Sequence, residues 1–404
     1  MQRNRAIWLL AVGHACVDVY QGAVAALVPF FIAERDYTYA AASGIVLAAS
    51  LLSSVTQPVF GVLTDRRATR WVVPFSTLAG GVGIAMSGLG GSYALTLTFA
   101  AVSGIGVAAY HPEAARLARV TSAGSHRAMA IFSTGGNVGF ALAPLLVAAS
   151  VATGGLRLTP VLVVPALIGV TVTLPVLTTL VRRRTTGPTA HHDPRADDVA
   201  AFVRLSFAVV FRSVAFVGLG TFIALYAQQR LGGSTAAGTA ALFVLYAGGI
   251  VGSLLGGSLA HRWDRVTVSR WSYVLTAAAI TGVVWAPGPP MYLLVALSSV
   301  GLYVPFSLQV TLGQDYLPAR VGTASGITLG LTVSIGGLAS PVIGAVVDAT
   351  SLQTALTPLI AMPLLSWVLY RTLNDPRAAR GPADGFPDAG VLSLSHARDL
   401  KEHP

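Results

Sequence analysis

Long apolar runs recur along the chain, each close to the length that crosses a bilayer and each followed by a short polar stretch. A helix needs about 20 apolar residues to span the hydrocarbon core. Runs of that kind predict twelve helical spans, at residues 6–32, 39–63, 72–90, 93–118, 127–151, 158–181, 204–228, 236–261, 267–286, 291–313, 321–347 and 352–372. The runs are continuous rather than alternating, which predicts helices and not the strands of a β-barrel. Gly and Pro are frequent inside them. Membrane helices tolerate both, and small residues let neighbouring helices approach closely. The first run is longer than the roughly 7–15 residues of a signal-peptide core, so it reads as a span that is retained.

Composition agrees with a lipid setting. The 404 residues are 54% hydrophobic and 10% charged, against about 25% charged in an ordinary soluble domain. So little charge does not cover a water-facing surface. The formal net charge of +10 raises the question of a nucleic-acid partner, but the arginines form no single patch with interleaved aromatics; they fall in the short stretches between the runs. That distribution sets an orientation instead. With the N-terminus in the cytoplasm, the inner segments hold 22 Lys and Arg and the outer ones only Arg35, Arg157 and Arg230. Both termini are therefore expected inside, on a multi-pass protein of the inner (plasma) membrane. Cys16 is the single cysteine, so no disulfide forms within the chain.

The stretch RRRTTGPTAHHDPRADDVAAFV interrupts the pattern after six runs. Its Pro, paired His and alternating charge read as a flexible linker. The expected organisation is a six-helix bundle over 1–181, a cytoplasmic linker over 182–203, a second six-helix bundle over 204–373 and a disordered cytoplasmic tail over 374–404. The halves carry a weak repeat. GVLTDR at Gly61–Arg66 matches GSLAHR at Gly257–Arg262, and Gly139 and Pro144 match Gly336 and Pro341 at nearly the same offset. Duplicated halves with a site between them near mid-bilayer are a transporter architecture.

The words at these landmarks carry a resemblance. G-V-L-T-D-R-R-A-T-R at Gly61–Arg70 resembles the loop signature between the second and third spans of the major facilitator superfamily. The first span reads G-H-A-C-V-D-V-Y-Q-G-A, the fourth G-I-G-V-A-A-Y-H-P-E-A-A-R, and residues 303–326 read Y-V-P-F-S-L-Q-V-T-L-G-Q-D-Y-L-P-A-R-V-G-T-A-S-G. Together these are similar to the fosmidomycin-resistance branch of that superfamily, proton-driven efflux proteins. The resemblance implies an all-α membrane fold of twelve transmembrane helices in two pseudo-symmetric bundles. It also implies a conformational gate at Gly61, Asp65, Arg66 and Arg70, where Asp65 pairs with a cation or caps a helix. The copy in the second half has His261 at the Asp position. The fifth span, G-F-A-L-A-P-L-L, has Ala143 where the Gly-Pro motif of drug–proton antiporters prefers Gly.

Ionisable side chains deep in a span are expensive, so they face the bundle interior and commonly act there. Asp18 sits near the midpoint of the first span, and His14, four residues earlier, shares its helix face. A sheltered carboxyl can bind and release a proton; the alternative is a structural Asp–His pair. His111 and Glu113 flank Pro112 in the fourth span, with His111 a second proton-coupling candidate and Glu113 either that or a partner for Arg116 or Arg119. Arg212 is the one basic residue well inside a span. It snorkels to the interface, pairs with Asp18, or faces a cavity and holds an anionic substrate group through its bidentate fork. Tyr20, Gln21, Gln57, Tyr110, Asn137, Tyr303 and Gln309 are further polar groups that contact substrate or join helices. No Walker loop, clustered metal ligands or nucleophile elbow is visible in the spacing, so neither cofactor nor metal is expected. The sequence reading is a monomeric secondary transporter, not an enzyme, whose partners are a small molecule, protons and the lipid bilayer. It exports an anionic or amphiphilic compound such as a fosmidomycin-like antibiotic by proton antiport. The alternatives are proton-coupled uptake of a sugar or organic acid, and a membrane scaffold or receptor that moves nothing.

Overall fold

The computed structural model describes residues 3–66, 71–122, 125–151, 153–179 and 197–376. Among them there is no strand, and the helices form twelve spans in two sets of six. The first set is α1 (Arg3–Arg35), α2 (Tyr39–Arg66), α3 (Val72–Ser87), α4 (Tyr93–Ser122), α5 (His126–Val151) and α6 (Val164–Thr179), the last entered through a 3-10 stretch at Gly155–Val163. The second is α7 (Val199–Arg230), α8 (Thr235–Arg262), α9 (Arg265–Trp285), α10 (Met291–Tyr316), α11 (Val321–Ala349) and a broken twelfth span, α12 (Leu352–Leu356) and α13 (Ala361–Tyr370) around a 3-10 turn at Thr357–Ile360. Nine of these segments are long and apolar enough to cross a membrane by themselves. Tyr39–Leu52 and Val72–Ser87 are shorter apolar stretches.

The second bundle begins earlier than the apolar run suggests. Asp198 caps α7, its carboxylate accepting from Ala201 N at 2.9 Å, and this N-cap bond satisfies one of the helix's orphan donors. Helix therefore starts at Val199 rather than 204, and residues 182–196 of the expected linker lie outside the described residues. Asn374 and Asp375, at the head of the expected tail, pack against the bundle: Asp375 is buried and pairs with Arg265 at the start of α9. Residues 377–404 lie outside the described residues.

The halves repeat each other in burial as well as in sequence. The first helix of each is innermost, with 72% of the apolar window buried in both α1 and α7. The last is peripheral, with 33% buried in both the α6 span and the α12–α13 span. Within the halves α1 packs on α5 and α7 on α11; between them α2 lies against α11, and α5 against α8. At the end of the bundle away from the chain's N-terminus, the α2–α11 seam is tied by Asp348. Its two carboxylate oxygens accept from Tyr39 N at 2.8 Å and Ala40 N at 2.9 Å, at the start of α2. Helix N-termini offer unpaired N–H groups and a partial positive charge, so a carboxylate suits that position.

Candidate functional site

Three titratable side chains meet inside the first bundle. Asp18 is buried midway along α1. Nε2 of His14, one turn earlier, lies 3.3 Å from Asp18 Oδ2, and Nε2 of His111, from α4, lies 3.1 Å from Oδ1. The other ring nitrogens are held by the backbone: His14 Nδ1 sits 2.9 Å from the Phe132 carbonyl oxygen and His111 Nδ1 2.7 Å from that of Val107. A carbonyl oxygen only accepts, so each Nδ1 carries a hydrogen and each Nε2 is left to exchange a proton with the carboxyl. The His14 ring stacks on Phe132 at 4.4 Å and meets His111 edge-on at 5.3 Å. Close packing of α5 on α1 makes room for this: a Cβ on Gly136 would collide with Asp18 and His14. The three groups present ligand-type atoms within 4.8 Å of one another. Spacing along the chain shows no such cluster, because its third member arrives from another helix.

The second bundle has a different centre. Arg212 on α7 is 2% exposed, so it does not snorkel to the interface, and it does not pair with Asp18. Its Nε donates to Gln309 Oε1 at 2.9 Å, Nη1 to the Leu302 carbonyl at 3.3 Å and Nη2 to Thr332 Oγ1 at 3.1 Å. Gln309 passes the chain on, its Nε2 donating to the Tyr273 hydroxyl at 2.6 Å. The guanidinium also lies 5.4 Å from the Phe306 ring centroid. These contacts use three of its five N–H donors.

A cavity lies between the bundles, and Tyr20, Gln21, Phe140, Phe216, Thr221 and Tyr246 are among its walls. Ring contacts lead from it toward Arg212: Phe140 meets Tyr246 at 5.3 Å, Phe216 meets Tyr303 at 5.2 Å, and Tyr303 meets Phe306 at 6.3 Å. Of the expected polar contacts, Tyr20 and Gln21 line the cavity, and the Tyr20 hydroxyl is spent on the Leu162 carbonyl at 3.1 Å. Asn137 bridges the bundles, its side-chain amide donating to Ser253 Oγ at 3.3 Å. Tyr110 is buried beside His14 and His111, with no hydrogen bond at its hydroxyl. Gln57 is half-buried on α2 and is not among the cavity walls. Sequence reasoning passed over Phe140, Phe216 and Tyr246, which look like any packing aromatic until three helices are brought together.

Glu113 stands apart from the cluster. It is fully buried and engaged by Arg116, whose Nε and Nη2 donate to it at 2.8 and 2.5 Å. Gly61, Asp65 and Arg66 close α2, but the side chains of Asp65 and Arg66, and all of Arg70, lie outside the described residues.

Comparison with known proteins places this arrangement. The model of the Major Facilitator Superfamily matches residues 10–383. The fosmidomycin resistance protein of Escherichia coli strain K12 is 28% identical over 366 residues, 88% of this chain and 89% of that protein. An uncharacterized MFS-type transporter of Bacillus subtilis strain 168, YfnC, is 27% identical over 383 residues, 91% of this chain and 93% of that one. Among solved structures, a bacterial homologue of the human lysosomal transporter Spinster, inward-facing and occupied, superposes with a TM-score of 0.74 at 17% identity, covering 92% of this chain and 97% of that one. The nucleoside transporter NupG superposes with a TM-score of 0.71 at 15% identity, covering 92% and 99%.

Proposed function

The chain belongs to the major facilitator superfamily, a multi-pass membrane transporter rather than an enzyme, and on that footing we propose that it exports a small anionic or amphiphilic compound in exchange for protons. The observation that carries this reading is Asp18, buried in α1 between the Nε2 atoms of two histidines whose Nδ1 atoms are already committed. A carboxyl and two imidazoles in that arrangement can take up, share and release protons without moving a heavy atom far. The His111 side chain is 24% exposed against 7% for Asp18, so His111 is the group through which protons reach the acid. Export rests on the E. coli relative whose name states resistance to fosmidomycin; moving the compound out of the cell is the simplest way for a transporter to confer that.

The cargo occupies the cavity between the bundles, its apolar part against Phe140, Phe216 and Tyr246. The two N–H donors of Arg212 that its contacts leave unused provide the fork for an anionic group as the cavity rearranges. The arginine-rich end faces the cytoplasm, the Asp348 contact closes the outer end, and Asp65, Arg66 and Arg70 form the latch of the opposite state. A single chain suffices, because both bundles come from it.

Asp18→Asn is the test. The variant, reconstituted in inside-out vesicles with an imposed pH gradient, is expected to lose proton-driven cargo movement while folding and inserting like the parent. Retained pH-driven movement in that variant removes Asp18 from the coupling. Movement in the wild type that ignores the gradient removes proton coupling altogether.

A further inference from the structure

In the cluster on α1 and α4, electron pairs face one another. Each histidine spends its Nδ1 hydrogen on a backbone carbonyl, His14 on Phe132 and His111 on Val107. Each Nε2 therefore turns a lone pair toward the Asp18 carboxylate. Two imidazole lone pairs and a carboxylate repel one another unless a cation sits among them, and a single proton bridges only one nitrogen–oxygen contact at a time. Asp18 Oδ1 shows the shortfall: it is buried and makes no hydrogen bond, although His111 Nε2 is 3.1 Å away.

We infer that these groups form a binding site for one transition-metal dication of the Zn²⁺ class, held by His14 Nε2, His111 Nε2 and the Asp18 carboxylate. Two imidazoles and one carboxylate suit Zn²⁺, Co²⁺ or Ni²⁺, whereas Mg²⁺ and Ca²⁺ take oxygen ligands. The spacing fits. Bonds of about 2.0–2.2 Å in a tetrahedral site set neighbouring ligand atoms roughly 3.3 Å apart. The two nitrogen–oxygen separations here are 3.3 and 3.1 Å, and all three ligand atoms lie within 4.8 Å of one another. The surroundings fit too. A metal-ligating histidine commonly donates its other N–H to a backbone carbonyl or carboxylate, which fixes the tautomer and aims the ring; both histidines already do so. The His111 side chain is 24% exposed, against 11% and 7% for His14 and Asp18, so the ion enters past His111 and the other two form the floor. An ion on all three groups leaves none of them for a proton. On the transport reading proposed above it blocks coupled movement, but its binding depends on the geometry alone.

Isothermal titration calorimetry of the full chain, purified in detergent without a histidine tag, tests this. ZnCl₂ is expected to saturate one site per chain and MgCl₂ none. Co²⁺ titrated in its place is expected to give visible absorption stronger than that of the aqueous ion, the signature of fewer than six ligands. His14→Gln and His111→Gln each remove a ligand, so Zn²⁺ affinity should fall roughly tenfold or more, with circular dichroism and monodispersity as checks on folding. A double variant of the paired histidines at 191 and 192, His191→Gln with His192→Gln, should bind like the parent. No saturable Zn²⁺ binding by the parent, equal binding of Mg²⁺, parental affinity in a folded His111→Gln chain, or loss of binding in the 191–192 variant overturns the proposal. Zn²⁺ binding as expected, with pH-driven cargo movement untouched, would support the site and count against coupling through Asp18.

Discussion

The first helix of each bundle buries an ionisable group, and the two groups are treated differently. Around Asp18 every partner is itself titratable: His14 and His111 approach the carboxylate, and their free nitrogens are the ones that face it. Around Arg212 every partner is neutral: an amide, a hydroxyl and a backbone carbonyl. The first centre can change its charge by moving protons, while the second keeps a fixed positive charge, because a guanidinium holds its proton throughout the biological range. A pseudo-symmetric frame has thus been given one variable charge and one constant one. That division suits a carrier in which protons and an anion alternate in the space between.

The strongest way to break the contrast is to make the variable centre constant. His111→Arg places a permanent cation against Asp18. Proton-driven transport should fall to background and its pH dependence should flatten, with the protein still monodisperse in detergent. Measuring cargo flux in inside-out vesicles across a pH series checks this. Persistent pH-dependent flux would mean that Asp18 and His14 suffice.

Removing the constant charge is expected to act on stability as well as on cargo. Arg212→Met keeps the apolar stem but leaves the buried Gln309 Oε1 without its Arg212 donor. A stranded buried polar group costs about 1–3 kcal/mol, so thermal unfolding in detergent should move clearly downward. Arg212→Lys should recover little of it, because one ammonium on a flexible stem does not reproduce a planar fork spread over three acceptors. Cargo affinity measured by the same thermal shift should fall in both variants. An Arg212→Lys protein as stable as the parent would show that the fork geometry is not what the second bundle uses.

Much of this was legible in the sequence, and the part that was not has a common cause. Apolar run length gave the twelve spans, and the i,i+4 spacing placed His14 beside Asp18. The 3.6-residue period says nothing of which helix lies opposite. His111 meets Asp18 only because α4 packs on α1, and Arg212 finds Gln309 and Thr332 on α10 and α11. The apolar pattern also misplaced the start of α7, since Asp198 begins the helix within a polar stretch. The sequence leaves Glu113 between a proton-coupling role and a pairing with Arg116 or Arg119, and Arg116, one turn further along its own helix, engages it. The three walls Phe140, Phe216 and Tyr246 had no signal at all, because an aromatic residue's packing partner is a property of the fold.

The smallest predicted effect concerns the seam that separates the two centres from the far side. Asp348 is exposed and ties α11 to the first turn of α2 through two backbone N–H groups. Loss of such a cap is worth about 1 kcal/mol, and water competes for the freed N–H groups, so Asp348→Ala should leave the fold intact. Its effect should appear in the balance between states. A contact made only when this end is closed shifts that balance by its own free energy when removed, which at about 1 kcal/mol is roughly fivefold toward the open form. Asp348→Asn should shift it less, since one side-chain oxygen can still accept. Spin labels at Asp36 and Ser351 would report the change as a larger population of long distances. An unchanged distribution in Asp348→Ala would mean that the close fit of Gly337 and Gly344 against α2 holds the seam without the carboxylate.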